Sequence, residues 1–219
     1  MEQQIQMSER FRVGALLAVA GGLLDAYTYL TRGRVFANAQ TGNIVLLGVC
    51  LAERRWGDAV RYLVPVLAFV VGVLVAEWIK SRFKESSAVH WRQISVSMEV
   101  VVLLLVALLP HTMDALANIS VSFVCAVQVE SFRKVHGSAF ATTMCTGNLR
   151  SGTEQLWLYL RSGQREHLSR LVHYGGINLC FIVGAALGAW LSGVMGSYAV
   201  GAACIPLLVT LLLMASERN

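Results

Sequence analysis

Hydrophobic positions are gathered along the chain into eight apolar runs, which short polar links separate. The runs cover residues 13–30, 38–52, 62–79, 94–109, 116–132, 139–160, 171–191 and 198–214. A helix needs about 20 residues to cross the hydrocarbon core of a bilayer. Six of the runs reach that length with small adjustments at their flanks. The pattern therefore predicts an all-α polytopic membrane protein with about six transmembrane helices.

The second and sixth runs differ from the others because they open with polar sequence that contains glycine. Residues 38–43 read NAQTGN, and residues 142–148 read TTMCTGN. Such openings are poor lipid-facing segments, but they suit broken helices that line protein or water. The pattern predicts two short re-entrant elements, at residues 38–52 and 142–160.

The two polar openings also indicate an internal duplication. Thr-Gly-Asn occurs at residues 41–43 and again at 146–148, and at this spacing Asp25 corresponds to Glu130. Further on, the sequence FVVG at 69–72 matches FIVG at 181–184, with seven extra residues in the second link. The chain is then predicted to consist of two repeat halves, residues 1–111 and 112–219.

Composition places the chain in a membrane, because only 14% of its residues are charged and 56% are hydrophobic. A soluble domain carries about 25% charged residues. The formal net charge is +5, but the basic residues lie in the links between apolar runs. There they indicate topology and contact with the lipid bilayer rather than binding of nucleic acid.

Positive charge favours six spans over eight, because cytoplasmic links carry the excess of arginine and lysine. Eight spans with an inside N-terminus give nine basic residues inside and eight outside. Six spans leave twelve inside and five outside, and the five are Arg32, Arg34, Arg54, Arg55 and Arg61. Six spans with an inside, cytoplasmic N-terminus also make the second half an inverted copy of the first, which would place a site at the midplane.

Asp25 and Glu130 are the first candidates for function, since a carboxylate inside a span costs about 2.5–3.5 kcal/mol. The functional hypothesis is a pair of proton or cation acceptors near a pseudo-two-fold axis. The structural alternative is that each carboxylate caps the re-entrant helix of its own half. Glu99 also lies in an apolar run, where it could pair with an arginine.

The polar openings are the second candidate site, for a small polar or ionic substrate. The start of a half-helix exposes backbone N–H groups to polar or anionic ligands. The alternative is that these residues only pack helices together. The predicted substrate- or ion-binding residues besides the two carboxylates are Asn38, Gln40, Thr41, Gly42, Asn43, Thr142, Thr143, Thr146, Gly147 and Asn148.

Gly184 and Gly188 form a GxxxG row that predicts close helix packing, either within the chain or in a homodimer. The sequence contains no P-loop, GxGxxG, HExxH or CxxC. We therefore expect no cofactor, no metal and no catalytic residues.

The motifs GGLLDA at 21–26 with NAQTGN at 38–43, and ATT at 141–143 with TGN at 146–148, resemble those of a known family. This is the YoaK-like (DUF1275) family of bacterial membrane proteins. The resemblance covers about residues 13–214, and it implies a plasma-membrane protein with about six spans and no assigned function. Arg32 and Arg34 depart from the resemblance, because we expect more apolar residues in the segment that leads to the first motif.

The leading hypothesis is a small secondary transporter or channel-like protein with a midplane polar site between its two halves. A membrane-embedded enzyme or lipid-handling protein is one alternative, although no nucleophile and base have suitable spacing. A membrane assembly protein that uses the Gly184 and Gly188 face is the other.

Overall fold

The computed structural model describes residues 11–84, 91–135, 138–139, 143 and 145–216. The α-helices in this part of the chain are α1 (Phe11–Thr31), α2 (Gln40–Ala52), α3 (Trp56–Phe83), α4 (Trp91–Ala107), α5 (Asp114–Ser131), α6 (Cys145–Ser162), α7 (Arg165–Met195) and α8 (Cys204–Ser216). A 3-10 turn (His111–Met113) precedes α5, and a 3-10 segment (Gly196–Ala203) joins α7 to α8. Strands β1 (Lys134–Val135) and β2 (Ser138–Ala139) pair as a short antiparallel hairpin. The predicted helical class is confirmed.

Four helical stretches in the described ranges are long and apolar enough to cross a membrane: Phe11–Thr31, Trp56–Phe83, His111–Ser131 and Arg165–Ser216. The last of these joins α7, the 3-10 segment and α8. α4 has 17 residues, whereas α2 and α8 have 13 each. The predicted number of six spans therefore stays a prediction.

Helix α1 lies inside the helical assembly, whereas α3 lies at its edge. In α1, 67% of the apolar stretch is buried, compared with 22% in α3. The exposed side chains of α3 include Leu67, Val70 and Leu74. A broad exposed apolar face of this kind is typical of contact with lipid.

Two helix pairs cross at close range through small residues, α1 with α7 and α3 with α5. A Cβ atom at Gly184 would collide with the carbonyl oxygen of Val19, and one at Gly188 would lie 2.6 Å from the carbonyl oxygen of Leu23. Gly72 has the same relation to Phe123 of α5. Only glycine allows backbones to approach so closely.

The glycine row of α7 is therefore covered by α1 of the same chain. Gly184 and Gly188 are both buried in this crossing. Of the two predicted roles, the structure shows packing within the chain. The prediction that this face could join two copies is not supported, because a second copy would have to displace α1.

Arg32 holds the ends of three helices together. It follows α1, and its guanidinium donates to Asp114 Oδ1 at 2.8 Å, to Tyr27 Oη at 2.7 Å and to the carbonyl oxygen of Leu109 at 2.9 Å. Its side chain is fully buried. Burial lowers the pKa of Arg32, but the hydrogen bonds to Asp114 and Tyr27 outweigh that effect, and the pKa is raised above its usual value. A residue that the sequence assigns to an outer link is thus a buried connection between α1, α4 and α5.

Further contacts place other chain segments at the same end of the molecule. Ser197 Oγ, after α7, lies 3.0 Å from His111 Nε2. Gly33 lies next to Arg61 of α3. The last residues of α1, α4 and α7 and the first residues of α3 and α5 therefore meet at one end.

Other helix termini lie at the opposite end of the molecule. The ring of Phe11, at the start of α1, lies 5.1 Å from the ring of His173 in α7. Arg92 Nε, at the start of α4, donates to the carbonyl oxygen of Ser131 at the end of α5 (2.9 Å). α1 and α7 consequently run parallel, as do α3 and α5.

Candidate functional site

A cavity of about 630 Å³ lies among α1, α2, α3, α6 and α7. The size falls within the roughly 300–1,000 Å³ of typical small-molecule sites. Its polar lining residues are Asp25, Asn38, Gln40, Thr41, Thr143, Cys145 and Thr146. Its aromatic lining residues are Tyr29, Phe36, Phe69 and Phe181. The cavity thus combines an aromatic wall with a small set of polar groups.

The cavity brings together residues from both predicted polar openings. Asp25, Asn38, Gln40, Thr41, Thr143, Thr146 and Gly147 line it. Gly42, Asn43, Asn148 and Glu130 do not belong to its lining. Thr142 lies outside the described residues.

The lining is arranged in pairs that correspond under the predicted repeat. With the spacing of the Thr-Gly-Asn motifs, the pairs are Asn38 with Thr143, Gln40 with Cys145, and Thr41 with Thr146. The FVVG and FIVG motifs add Phe69 with Phe181. Sequence reasoning used these two phenylalanines as repeat markers but did not predict that they face the site.

Asp25 fixes the chain that leads into α2. Its Oδ1 accepts hydrogen bonds from the backbone N–H of Asn38 (2.6 Å) and of Ala39 (3.4 Å). Its second carboxylate oxygen accepts neither bond. Asp25 is 6% exposed, and no lysine, arginine or histidine of the described residues lines the cavity. Asp25 therefore fixes the segment that precedes α2 rather than the first turn of the helix, whose N-cap residue Ala39 has no side-chain hydrogen bond. Among the described residues, it also puts a carboxylate without a cationic partner in the cavity wall.

Asn38 contributes a second buried acceptor. Its Nδ2 donates to the carbonyl oxygen of Gly21 (3.3 Å), which fixes the orientation of the amide. Its Oδ1 is buried and has no hydrogen-bond partner within the described part of the chain. A buried polar atom without a partner costs stability, so a donor from a bound molecule would improve this arrangement.

Asn43 of the first motif stabilises the loop before α2. Its Oδ1 accepts from the backbone N–H of Phe36 (3.0 Å), and its Nδ2 donates to the carbonyl oxygen of Phe36 (2.8 Å) and to Gln40 Oε1 (2.9 Å). Gly42 is required beside it, since a Cβ there would lie 2.8 Å from the Phe36 ring. These two residues shape the site without lining it.

Asn148 of the second motif joins α6 to α7. Its Nδ2 donates to Asn178 Oδ1 (3.2 Å), and Asn178 Nδ2 donates to the carbonyl oxygen of Cys145 (3.2 Å). The asparagines of the two motifs are thus both buried, but they bond to different partners.

Glu130 lies away from the cavity, near the end of α5. Arg133 donates to its Oε1 at 3.1 Å, and the carboxyl of Glu77 in α3 lies close enough to interact with it. Lys80 in turn contacts Glu77 at 2.7 Å. The structure therefore does not bring Glu130 together with Asp25, although the two correspond in sequence.

Family membership is decided by comparison of the sequence with known proteins. A family model described as "Protein of unknown function (DUF1275)" matches residues 13–213. The chain belongs to the DUF1275 family. The resemblance noted in its motifs is confirmed.

One relative of this DUF1275 protein is the UPF0700 transmembrane protein YoaK of Bacillus subtilis (strain 168). The two are 24% identical over 185 residues, which are 80% of each chain. No solved structure matches the chain significantly. The transmembrane relative and the apolar helices together show a multi-pass membrane protein.

The DUF1275 chain also holds a second buried carboxyl, whose suggested arginine partner the described part of the structure does not show. Glu99 in α4 is fully buried, and the side-chain amide of Gln128 in α5 lies 2.8 and 3.1 Å from its two oxygens. No residue that the structure describes forms an ion pair with it, so the expected arginine partner is not seen. The partner is an amide on another helix, which spacing along one helix cannot reveal.

Proposed function

We propose that this protein is a small secondary transporter of the bacterial plasma membrane, with the cavity beside Asp25 as its substrate site. The observation that supports this most strongly is the paired lining of the cavity. Thr41 and Thr146, and Phe69 and Phe181, come from corresponding positions of the two halves and face one space. Inverted-repeat transporters bind substrate at the interface of their repeats, beside broken helices.

The contacts between helices support the proposed duplication. If residues 1–111 and 112–219 are equivalent halves, α1 with α7 corresponds to α5 with α3, and these are the two most extensive crossings. The pair α2 with α3 likewise corresponds to α6 with α7. The close glycines, Gly72 and Gly184, occupy corresponding positions in the two crossings.

The proposed topology has six crossings, a cytoplasmic N-terminus and re-entrant α2 and α6. The closeness of Gly33 to Arg61 supports it, because a Cβ at Gly33 would lie 3.9 Å from Arg61 Cδ, which places both flanks of α2 at one end of the molecule. The bonds from Arg32 to the start of α5 support it too, since eight crossings would put the ends of α1 and α4 on opposite faces.

Labelling of single cysteines tests this topology. In a cysteine-free background, Arg34→Cys and Arg54→Cys should react with an impermeant maleimide from the outside, and Lys80→Cys only from the inside. Eight crossings would instead put Arg34→Cys and Arg54→Cys on opposite sides, and that result would contradict the proposal.

Asp25 is the proposed coupling group. A carboxylate that is as buried as Asp25, which is 6% exposed, is costly unless a proton or a cation neutralises it. No cationic side chain of the described residues shares the cavity wall. Protonation and deprotonation of Asp25 would therefore change which ligand the cavity favours, and this couples substrate movement to protons.

The native Cys145 tests transport without knowledge of the substrate, because it lines the cavity and is partly exposed. We expect a variant that retains Cys145 as its one cysteine to react with an impermeant methanethiosulfonate from either side of the membrane. Arg54→Cys, placed alone in the same background, is the one-sided control.

The alternative functions give different labelling patterns. An enzyme or assembly protein with a static cavity open to water predicts reaction of Cys145 from one side only. A lipid-handling protein with a lateral opening predicts reaction with a membrane-permeant reagent alone. Either pattern would contradict the transporter proposal.

A further inference from the structure

We infer that the cavity beside Asp25 takes a small organic ammonium ion with an apolar group, and that this ion exchanges with a proton on Asp25. The inference rests on the proposed function, because it assigns a ligand class to the same site. It follows from the charge, the aromatic wall and the unpartnered acceptor of the cavity.

Charge is the first argument. Among the described residues, Asp25 is the one carboxylate of the lining, and two thiols, Cys145 of α6 and Cys125 of α5, lie close enough to interact with it electrostatically. Tyr29 of α1 adds a phenol, whereas the lining residues of α2 and α7 carry no titratable side chain. A monovalent cation would therefore neutralise the site, while a second anion would lie against a carboxylate.

The helix N-termini do not reverse this preference. α2 and α6 both begin at the cavity, and each N-terminus is equivalent to about half a positive charge. Asp25 already accepts hydrogen bonds from the backbone N–H groups of Asn38 and Ala39, which lead into α2. The remaining N-terminus of α6 carries less charge than the carboxylate it would have to outweigh.

The aromatic wall is the second argument. Tyr29 and Phe36 stack with ring centroids 4.8 Å apart, and Phe69 and Phe181 add two more rings to the lining. Aromatic faces attract cations and apolar groups together. Tyr29 already shows this behaviour, since the guanidinium of Arg34 lies 5.1 Å from its ring centroid.

Asn38 Oδ1, which has no hydrogen-bond partner among the described residues, would favour binding of one kind of cation over another. Asn38 lines the cavity and is 9% exposed, and its amide orientation is fixed by the bond to Gly21. An acceptor in this position requires a donor. A primary or secondary ammonium has N–H groups to donate both to Asn38 Oδ1 and to Asp25, whereas a quaternary ammonium has none.

The exchange step conserves charge. When the ammonium ion binds, the carboxyl proton of Asp25 leaves to solvent, and when the ammonium ion leaves, one proton returns. One proton is therefore released for each monovalent cation bound, and the cavity stays neutral in both states.

The test measures binding of 2-phenylethylammonium to the full-length protein in nanodiscs by titration calorimetry. The comparison ligands are 2-phenylethanol and phenylacetate, which keep the ring but replace the positive charge by none or by a negative one. Titrations in two buffers with different ionisation enthalpies count the protons. We expect the ammonium to bind at least tenfold more tightly than either comparison ligand, with one proton released.

Substitutions test which residues are responsible for the binding of the ammonium ion and the release of the proton. Asp25→Asn keeps an oxygen that can accept the bond from Asn38, and it should weaken ammonium binding at least tenfold and abolish proton release. Glu130→Gln is the matched control and should leave both unchanged. Asn38→Ala should weaken the binding of 2-phenylethylammonium more than the binding of benzyltrimethylammonium, which has no N–H group.

Protection of Cys145 keeps the inference testable if Asp25→Asn fails to fold. In the wild-type protein, 2-phenylethylammonium should slow labelling of Cys145 and phenylacetate should not. Equal or tighter binding of phenylacetate, no binding of the ammonium, or unchanged binding by folded Asp25→Asn would overturn the inference.

The two proposals fail in different ways. If Cys145 reacts from both sides but the ammonium does not bind, the ligand class is wrong and transport stands. If the ammonium protects Cys145 and the thiol reacts from one side only, the ligand class stands and transport is wrong.

Discussion

Asp25 and Glu130 correspond to each other under the proposed repeat, yet their surroundings differ. Asp25 lies in the wall of a cavity, is held by two backbone N–H groups and has no cationic neighbour among the residues that the structure describes in that wall. Glu130 lies near a helix end, where Arg133, whose side chain is 68% exposed, neutralises it. Under the proposed repeat, two lining pairs of the cavity keep the same residue, Thr41 with Thr146 and Phe69 with Phe181, whereas the two carboxylates have different surroundings.

This difference separates two roles that a repeated carboxylate can have. A buried carboxylate without a cation responds to protons and ligands, because neutralisation must come from outside the protein. A carboxylate with an exposed arginine partner contributes little beyond a surface ion pair. We therefore expect changes at the two positions to have unequal consequences, whereas changes in the shared framework should affect both halves alike.

The largest effect on stability is expected at the two close helix crossings, α1 with α7 and α3 with α5. Gly184→Leu should prevent α1 and α7 from meeting, and Gly72→Leu should do the same for α3 and α5, because each new side chain would collide with a backbone carbonyl. Overpacking alone costs about 1–3 kcal/mol, and a backbone collision at a helix crossing costs more. Both variants should lack a monodisperse peak in size-exclusion chromatography.

Gly193→Leu is the matched control, since no atom lies within 4 Å of a Cβ at that position of α7. It should elute like the wild-type protein. Normal behaviour of Gly184→Leu together with failure of Gly72→Leu would show that the two crossings are not equivalent.

The next effect compares two arginines that each pair with a carboxylate. Arg32 is buried against Asp114, so Arg32→Gln should destabilise the protein by about 3–5 kcal/mol, because it leaves acceptors without their donor. Arg133→Gln should cost less, about 0–1 kcal/mol, because the guanidinium of Arg133 is exposed to solvent, although Glu130 is only 12% exposed.

Thermal unfolding in detergent measures both changes in stability. The melting temperature should fall clearly for Arg32→Gln and stay near the wild-type value for Arg133→Gln. Similar small shifts for both would mean that the buried connection between α1, α4 and α5 does not support the fold.

A smaller effect is expected at Asn43, which forms the loop in front of α2. Asn43→Ala removes three hydrogen bonds around Phe36 and Gln40 and leaves buried groups unsatisfied, at a cost of about 1–3 kcal/mol. Thr153→Val, at an exposed position of α6, is a control that should change stability by less than about 0.5 kcal/mol. An unaltered melting temperature for Asn43→Ala would contradict the assigned role.

Much of the fold could be predicted from the sequence, because long apolar runs and polar breaks set the helices directly. The run at 13–30 corresponds to Phe11–Thr31, and the polar opening at 38 precedes a helix that starts at Gln40. The pairing of Thr41 with Thr146 could be read from a repeated motif. The local sequence pattern predicts those features whose structure depends on a single segment of the chain.

The surroundings of the charged groups could not be predicted, because they depend on contacts between distant segments. Asp25 meets Asn38 only because the chain folds back after α1. Arg32 is buried by α4 and α5, although charge counting treats every arginine in a link as exposed. Glu99 likewise finds its neighbour on another helix.

The most direct test of the account measures how fast Cys145 reacts from the outside and from the inside of the membrane at several pH values. The ratio of the two rates removes most of the intrinsic pH dependence of the thiol. If Asp25 couples the cavity to protons, the ratio should change with pH in the wild-type protein and in Glu130→Gln, and it should be constant in Asp25→Asn. A ratio that still changes with pH in Asp25→Asn, or that becomes constant in Glu130→Gln, would contradict the central claim.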